Sequence, residues 1–215
     1  MQIKIKNNTF RLLPQKAIFW EEARTLLLSD LHIGKISHFR KEGIPIPRGG
    51  LHENFTRLDA VMEAHPVERV VFVGDLFHST LNEEWNDFCR WRGKYGGTDM
   101  HIVMGNHDLF PPRFYAEICL TVHETEMAAG PFTLAHHPKK TFTGDEYVIS
   151  GHIHPVIRLY GKANQRLRFP CFYFGARQAL LPSFGYFTGG AHIQPQENDR
   201  VVAVVNDTLV EIPVS

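Results

Sequence analysis

The sequence predicts an α/β protein built on two packed β-sheets, and three features of its 215 residues lead there. Short apolar strands alternate with two helix-patterned segments in the first half, which is βαβαβ logic with a parallel sheet. After Ile118 the strand candidates crowd together, enough for a second sheet laid on the first. Polar residues gather at the ends of successive strands rather than being scattered.

In chain order, Phe10 to Leu13 and Ala17 to Trp20 pair as a hairpin, and Thr25 to Ser29 (TLLLS) reads as a buried strand from its unbroken apolar run. Leu51, Phe55, Leu58, Val61 and Met62 recur with helical spacing and predict a helix over 51–64. Arg69 to Gly74 (RVVFVG) is the next strand, Trp85, Phe88 and Cys89 mark one face of a second helix, and His101 to Met104 (HIVM) is a third strand. The remaining candidates are CLTVH, PFTLAH, EYVIS, VIRLYG, LRFPCFYFG, VVAVV and LVEIP.

With 43% hydrophobic residues the chain suffices for one sizeable core, so a single domain over 1–215 is expected. Lys+Arg and Asp+Glu balance at 23 each, so any nucleic-acid contact must come from a local patch rather than a global basic field. Cys89, Cys119 and Cys171 are odd in number and form no CxxC pair, which indicates neither a disulfide framework nor a thiolate zinc site and fits a reducing cytoplasm. No stretch has the length and apolarity of a membrane span, so a soluble cytoplasmic protein is expected, with no membrane contact. Nothing in the chain specifies an oligomeric state.

The strand ends carry the chemistry. TLLLS runs into Asp30-Leu31-His32, RVVFVG ends on Gly74-Asp75, and HIVM is followed by Gly105-Asn106-His107-Asp108. PFTLA runs into His136-His137, and EYVIS into Gly151-His152-Ile153-His154. Singly, each has an ordinary explanation: an Asx turn, a helix N-cap, a tight turn. Five in order, at the edge where α/β sheets bind ligands, point to a metal site. Strand alternation would return His152 and His154 to one face, aimed together. Carboxylate, imidazole and amide oxygen without thiolate suit Mn, Fe, Zn or Mg, with two divalent ions expected and Mn2+ first among them. A pair of ions can clamp both oxygens of an in-line displacement.

The ordered set DLH, GD, GNHD, HH and GHIH resembles the calcineurin-like metallophosphoesterase superfamily, whose pattern is DxH, GD, GNH(D/E), H and GHxH. The resemblance implies two mixed sheets flanked by helices in an α/β/β/α sandwich. It also implies one ion on Asp30, His32, Asp75 and His154, and a second on Asp75, Asn106, His136 and His152, with Asp75 bridging. His107 is then the substrate-facing histidine. Where one ligand is expected LAHHP offers two, and its strand-end position favours His136, leaving His137 to steady a ligand or touch substrate.

The flanks RLLPQKAIFW, SDLHIGKISHFRKEGIPIP and LLPSFGYFTGG extend the resemblance to the ligase-associated DNA-damage-response endonuclease (PdeM) group. That implies a phosphodiesterase or nuclease acting on DNA ends or strand breaks in repair, in functional association with a DNA ligase. Lys35, His38, Arg40, Lys41 and Arg48 cluster after the DLH motif, as phosphate-backbone contacts do, although a solvated charged loop would look the same. Arg177, among aromatic and Gly residues, either holds a phosphate or makes a structural ion pair. The alternative substrate class is a small phosphomonoester or a nucleotide diester at the same metals. A non-catalytic binding module is disfavoured because the ligand candidates and Asn106-His107 are all present. His52, His65, His123 and His192 read as surface residues without partners, and His78 as a residue orienting a ligand.

Overall fold

The computed structural model describes residues 1–44, 49–78, 82–160, 166–186 and 188–214, with the side chains of 49–51 and 160 left aside. Arg48, Gly161 and the Leu51 side chain therefore lie outside the described residues. The strands β1 (Gln2–Ile5), β2 (Asn8–Leu13), β3 (Ala17–Trp20) and β4 (Thr25–Leu28) form an antiparallel meander. Parallel strands β5 (Arg69–Val73), β6 (Asp99–Val103) and β7 (Thr121–His123) continue the same sheet in sequence order. Helices α1 (Lys35–Lys41) and α2 (Gly49–Ala64) cross from β4 to β5, α3 (Glu83–Lys94) from β5 to β6, and α4 (Pro112–Glu117) from β6 to β7.

The second sheet is assembled from β8 (Glu126–Ala129), β9 (Phe132–Ala135), β10 (Tyr147–Ser150), β11 (Pro155–Tyr160), β12 (Arg166–Phe174), β13 (Gln178–Leu180) and β14 (Ala191–His192). Its order is β14-β11-β12-β13-β10-β9-β8, and β15 (Arg200–Val205) and β16 (Thr208–Ile212) add on through β12. Strands β9, β10 and β13 are parallel, and the rest mix both senses.

Burial explains the apolar runs. In β4, Leu26 and Leu28 pack with Leu58, Val61, Phe88 and Trp91 of the helices, while Leu27 faces Phe132, Ile149 and Phe172 of the other sheet. A strand covered on both faces has no polar side to show, hence TLLL and VVFV. Each such side chain contributes about 1.5–3 kcal/mol on burial. The expected sandwich of two mixed sheets with flanking helices is the observed one, including the hairpin of β2 and β3 and the parallel run from β4 through β6.

Elements absent from the sequence reading are short. Helices α1 and α4 bury Ile36 and Tyr115 respectively, too few positions to show a period. β1, β8, β13 and β14 are strands of four residues or fewer, defined by their neighbours rather than by their own pattern. Two histidines also differ from expectation. His123 is hydrogen-bonded to His101 at 3.0 Å, and His65 stacks on Phe19, because each faces a neighbouring ring rather than open solvent.

Candidate metal centre

The carboxyl ends of β4, β5, β6, β9 and β10 meet at one edge of the sandwich. Backbone bonds hold the loops there in register: Asp30 N–H donates to Gly74 O, His32 to Asp75 O and Ile33 to Leu76 O. A parallel bridge between Ser29 and Ser183, with the Ser183 hydroxyl donating to Asp30 O, fastens the segment after β13 to this edge.

Asp30, His32, Asp75, His152 and His154 all have left-handed backbones, with φ between 49° and 65°. Such conformations in non-glycine residues cost on the order of 1–3 kcal/mol and persist where surrounding contacts over-determine them. They also correct the expectation of strand alternation at GHIH. β10 stops at Ser150, and His152 and His154, separated by Ile153, turn into different clusters. His154 joins Asp30 and His32, while His152 joins His136 and His137.

Among the described residues three side-chain groups are close enough to hold a metal: Asp30, His32 and His154; Asp30, Asp75 and His136; and His136, His137 and His152. Asp75 stands between them, 3.9 Å from His32 Nε2 and 3.5 Å from His136 Nε2. Asn106 Oδ1 is 3.2 Å from His136 Nε2, and His152 Nδ1 is 3.1 Å from the same nitrogen. Asp30 lies 3.1 Å from His154 Nε2 and accepts from the backbone N–H of His152.

His32 is the most telling member. Both ring nitrogens are buried and neither has a hydrogen-bond partner, although a buried imidazole left unbonded is costly. Burial holds its pKa down to about 2, so it stays neutral, with one ring nitrogen free to coordinate and Nε2 3.9 Å from Asp75. Burial likewise lowers His136, against the opposing pull of Asp75. Neutral imidazoles beside ionisable oxygens make a donor set suited to a divalent ion. His154 is oriented for this: its Nδ1 faces Gly189 O at 3.0 Å, which leaves Nε2 turned toward Asp30.

Close packing fixes the carboxylates. A Cβ on Gly105 would sit 2.1 Å from Asp75 Oδ1, and one on Gly74, at φ +82°, 2.0 Å from His136 Nδ1. Asp108, the last residue of GNHD, is 2% exposed and accepts from the N–H groups of Phe77 and Gly105, tying the loops after β5 and β6 together. Burial pushes its pKa up to about 7.

Against known proteins, the family model described as calcineurin-like phosphoesterase matches residues 23–143. The chain belongs to the calcineurin-like phosphoesterase family. It is thereby a hydrolase of phosphate esters, and the clusters above are able to hold its metal. The solved structure of nuclease MPE from Pseudomonas putida is similar over 98% of this chain and 99% of its own, with 30% identity and a TM-score of 0.83. A protein of unknown function from Aquifex aeolicus matches at 17% identity and TM-score 0.42, covering 65% of this chain and 81% of its own. A predicted phosphoesterase from Streptococcus pneumoniae matches at 12% and 0.32, covering 87% and 86%. Comparison with curated sequences finds no match.

Around the phosphoesterase centre the remaining expected residues divide. His107 donates its backbone N–H to Asp75, and its ring lies 5.4 Å from that of His32 and 4.5 Å from that of His78. His78 stands at the centre, its ring also 5.5 Å from that of His32. Lys35, at the start of α1, is half-buried; burial lowers its pKa while Asp30 and Asp75 act to raise it. His137 is exposed, with its ring 4.1 Å from that of His152.

Arg40 and Lys41 sit at the far end of α1, in a groove shared with Glu83, Glu84 and Asp87, so they line a mixed-charge surface rather than a basic one. Arg177 is engaged elsewhere: it donates to the carbonyls of Gly144 and Glu146 and lies over Phe142, which makes it a staple of the turn before β10 rather than a phosphate contact.

The sequence reading gave no role to Glu84, Asp108 or Gly189, although Asp108 ends GNHD and Gly189 lies within LLPSFGYFTGG.

Proposed function

We propose that this protein is a dinuclear metal-dependent phosphodiesterase, specifically a nuclease acting on DNA in repair, within one domain spanning the chain. One ion would be held by Asp30, His32, Asp75 and His154, the other by Asp75, Asn106, His136 and His152. The observation that carries the metal assignment is His32, buried with both nitrogens unpartnered among carboxylates. End-to-end similarity to a solved nuclease supports the substrate class.

When bound, the ions supply charge for the phosphate and a nucleophile at neutral pH, Mn2+ being the first candidate. The chain's own groups do the rest. Asp75 is placed to span both positions, and Gly105 and Asp108 keep it and the Asn106 loop in place. Lys35 faces the carboxylate pair from the head of α1 and holds a non-bridging phosphate oxygen. His107, anchored through its backbone to Asp75, gives a proton to the leaving oxygen as the bond from phosphorus to that oxygen breaks. Nothing among these contacts demands a DNA ligase, so that association enters only as part of the repair role.

The test is metal analysis with a substrate panel. After Mn2+ reconstitution the protein should hold two ions per chain and cleave single-stranded or nicked DNA. His107→Ala should keep both ions and lose about 100- to 10,000-fold in turnover on a diester with a poor leaving group. Retained phosphomonoester or nucleotide hydrolysis without cleavage of any DNA form would assign the small-molecule activity instead.

A further inference from the structure

From Tyr147 to Gln196 the chain contains no Asp or Glu, yet it carries Arg158, Lys162, Arg166, Arg168 and Arg177. In a protein of balanced charge this is a local excess. Arg177 is tied to the turn before β10, as described. Arg158, Arg166 and Arg168 are exposed on the β11–β12 hairpin, where Arg158 lies directly opposite Arg168 and Tyr160 opposite Arg166. Like charges facing each other across a strand pair are destabilising.

Five other surface arginines have carboxylate partners, Arg11 with Glu21, Arg24 with Glu68, Arg69 with Asp99, Arg90 with Asp87 and Arg200 with Glu211, while Arg113 lies over the Phe114 ring. Among the described residues no carboxylate pairs with Arg158, Arg166 or Arg168, and the one side-chain hydrogen bond from the three runs from Arg168 to Gly190 O.

Their placement gives the unpaired charge a direction. Phe172 and Phe174 of β12 lie in the core between the sheets, and the two-residue period of a strand puts Arg168 and Arg166 on that same side. Ile157 and Cys171 belong to the cluster on the opposite side, with Leu159 and Phe169 packed against it, which leaves Arg158 on the side of Arg168. β11 begins one residue after His154, so Arg158 stands roughly 13 Å along the strand from that residue.

We propose that Arg158, Arg166 and Arg168 form a phosphate track that holds the backbone of a single-stranded nucleic acid running to or from the metal centre. The proposal rests on the nuclease reading and places the polymer on the β11–β12 hairpin rather than on the end of α1. Guanidinium groups bind phosphate through paired N–H donors and can stack on unpaired bases, which suits a flexible single strand.

The test uses the full-length Mn2+-loaded protein and the double variant Arg158→Gln/Arg166→Gln, which leaves the Arg168 contact near the His154 loop intact. Binding of a fluorescent single-stranded oligonucleotide is measured by polarisation across salt concentrations, beside hydrolysis of bis-p-nitrophenyl phosphate. The variant should bind about tenfold more weakly, with the slope of log K against log salt shallower by about 1.4, or 0.7 for each phosphate contact removed. Turnover of the small diester should be unchanged.

An unaltered slope and affinity, with the parent cleaving the oligonucleotide, would overturn the track and leave the nuclease reading standing. An equal loss on the small diester would also overturn it, by showing that the arginines act on the centre itself. If the parent hydrolyses the small diester but neither binds nor cleaves any single strand, the nuclease reading and the track fall together.

Discussion

Glu84 links helix α3 to the metal centre, and its removal tests whether α1 is held from outside. α1 has no side-chain cap of its own, since its N-cap is Gly34. Instead Glu84, 2% exposed, accepts from Gly34 N–H at 2.5 Å and from Ser37 N–H at 2.7 Å, one carboxylate oxygen to each. A buried carboxylate closing a helix N-terminus makes charge-assisted bonds of about 1.5–3 kcal/mol each. Glu84→Gln keeps the shape but turns one acceptor into a donor facing an N–H, so a loss of about 2 kcal/mol is expected. For a chain of this size that lowers the unfolding midpoint by about 4–8 °C. Since α1 carries Lys35 beside Asp30 and Asp75, diester turnover should fall about tenfold while both metals stay bound. Calorimetry, metal analysis and hydrogen exchange over 35–39 give the answer. A variant with the parent's midpoint, exchange rates and turnover would refute the view that Glu84 sets α1.

Three further outcomes follow from other contacts. His136→Ala should lose one ion and His137→Ala should keep both while changing turnover; the reverse pattern in metal analysis would exchange their roles. Gly105→Ala places a methyl 2.1 Å from Asp75 Oδ1, so metal affinity should drop by at least tenfold, and calorimetric titration showing parental affinity would deny that close packing fixes Asp75. Lys16 has its pKa lowered to about 7 by burial and by Arg57. Its unfolded value is about 10.4, so between these limits the unfolded chain binds the extra proton and stability rises with pH. Lys16→Met should therefore be more stable than the parent near pH 7, by up to a few kcal/mol, with the advantage vanishing by about pH 10. Parallel stability profiles from denaturant titrations would exclude that cost.

The sequence by itself determined the layers and which side chains meet at the candidate centre. Runs such as TLLL and RVVFV had to be buried on both faces, and the polar residues that end them had to share an edge once the strands were parallel. Asp30, His32, Asp75, His136, His152 and His154 were legible because a strand end fixes where the next residue goes.

The tertiary structure decided what depends on partners remote in the chain. Glu84 caps a helix 50 residues away, Gly189 O orients His154 across 35, and Asp108 joins two loops across 31. No local period encodes such contacts. The left-handed turns at His152 and His154 were also invisible, because their energy comes from the neighbours that hold them and not from the residues themselves. The same holds for the arginines. Arg40, Lys41 and Arg158 look alike as letters, and only packing shows that carboxylates share the groove of the first two while, among the described residues, none pairs with the third.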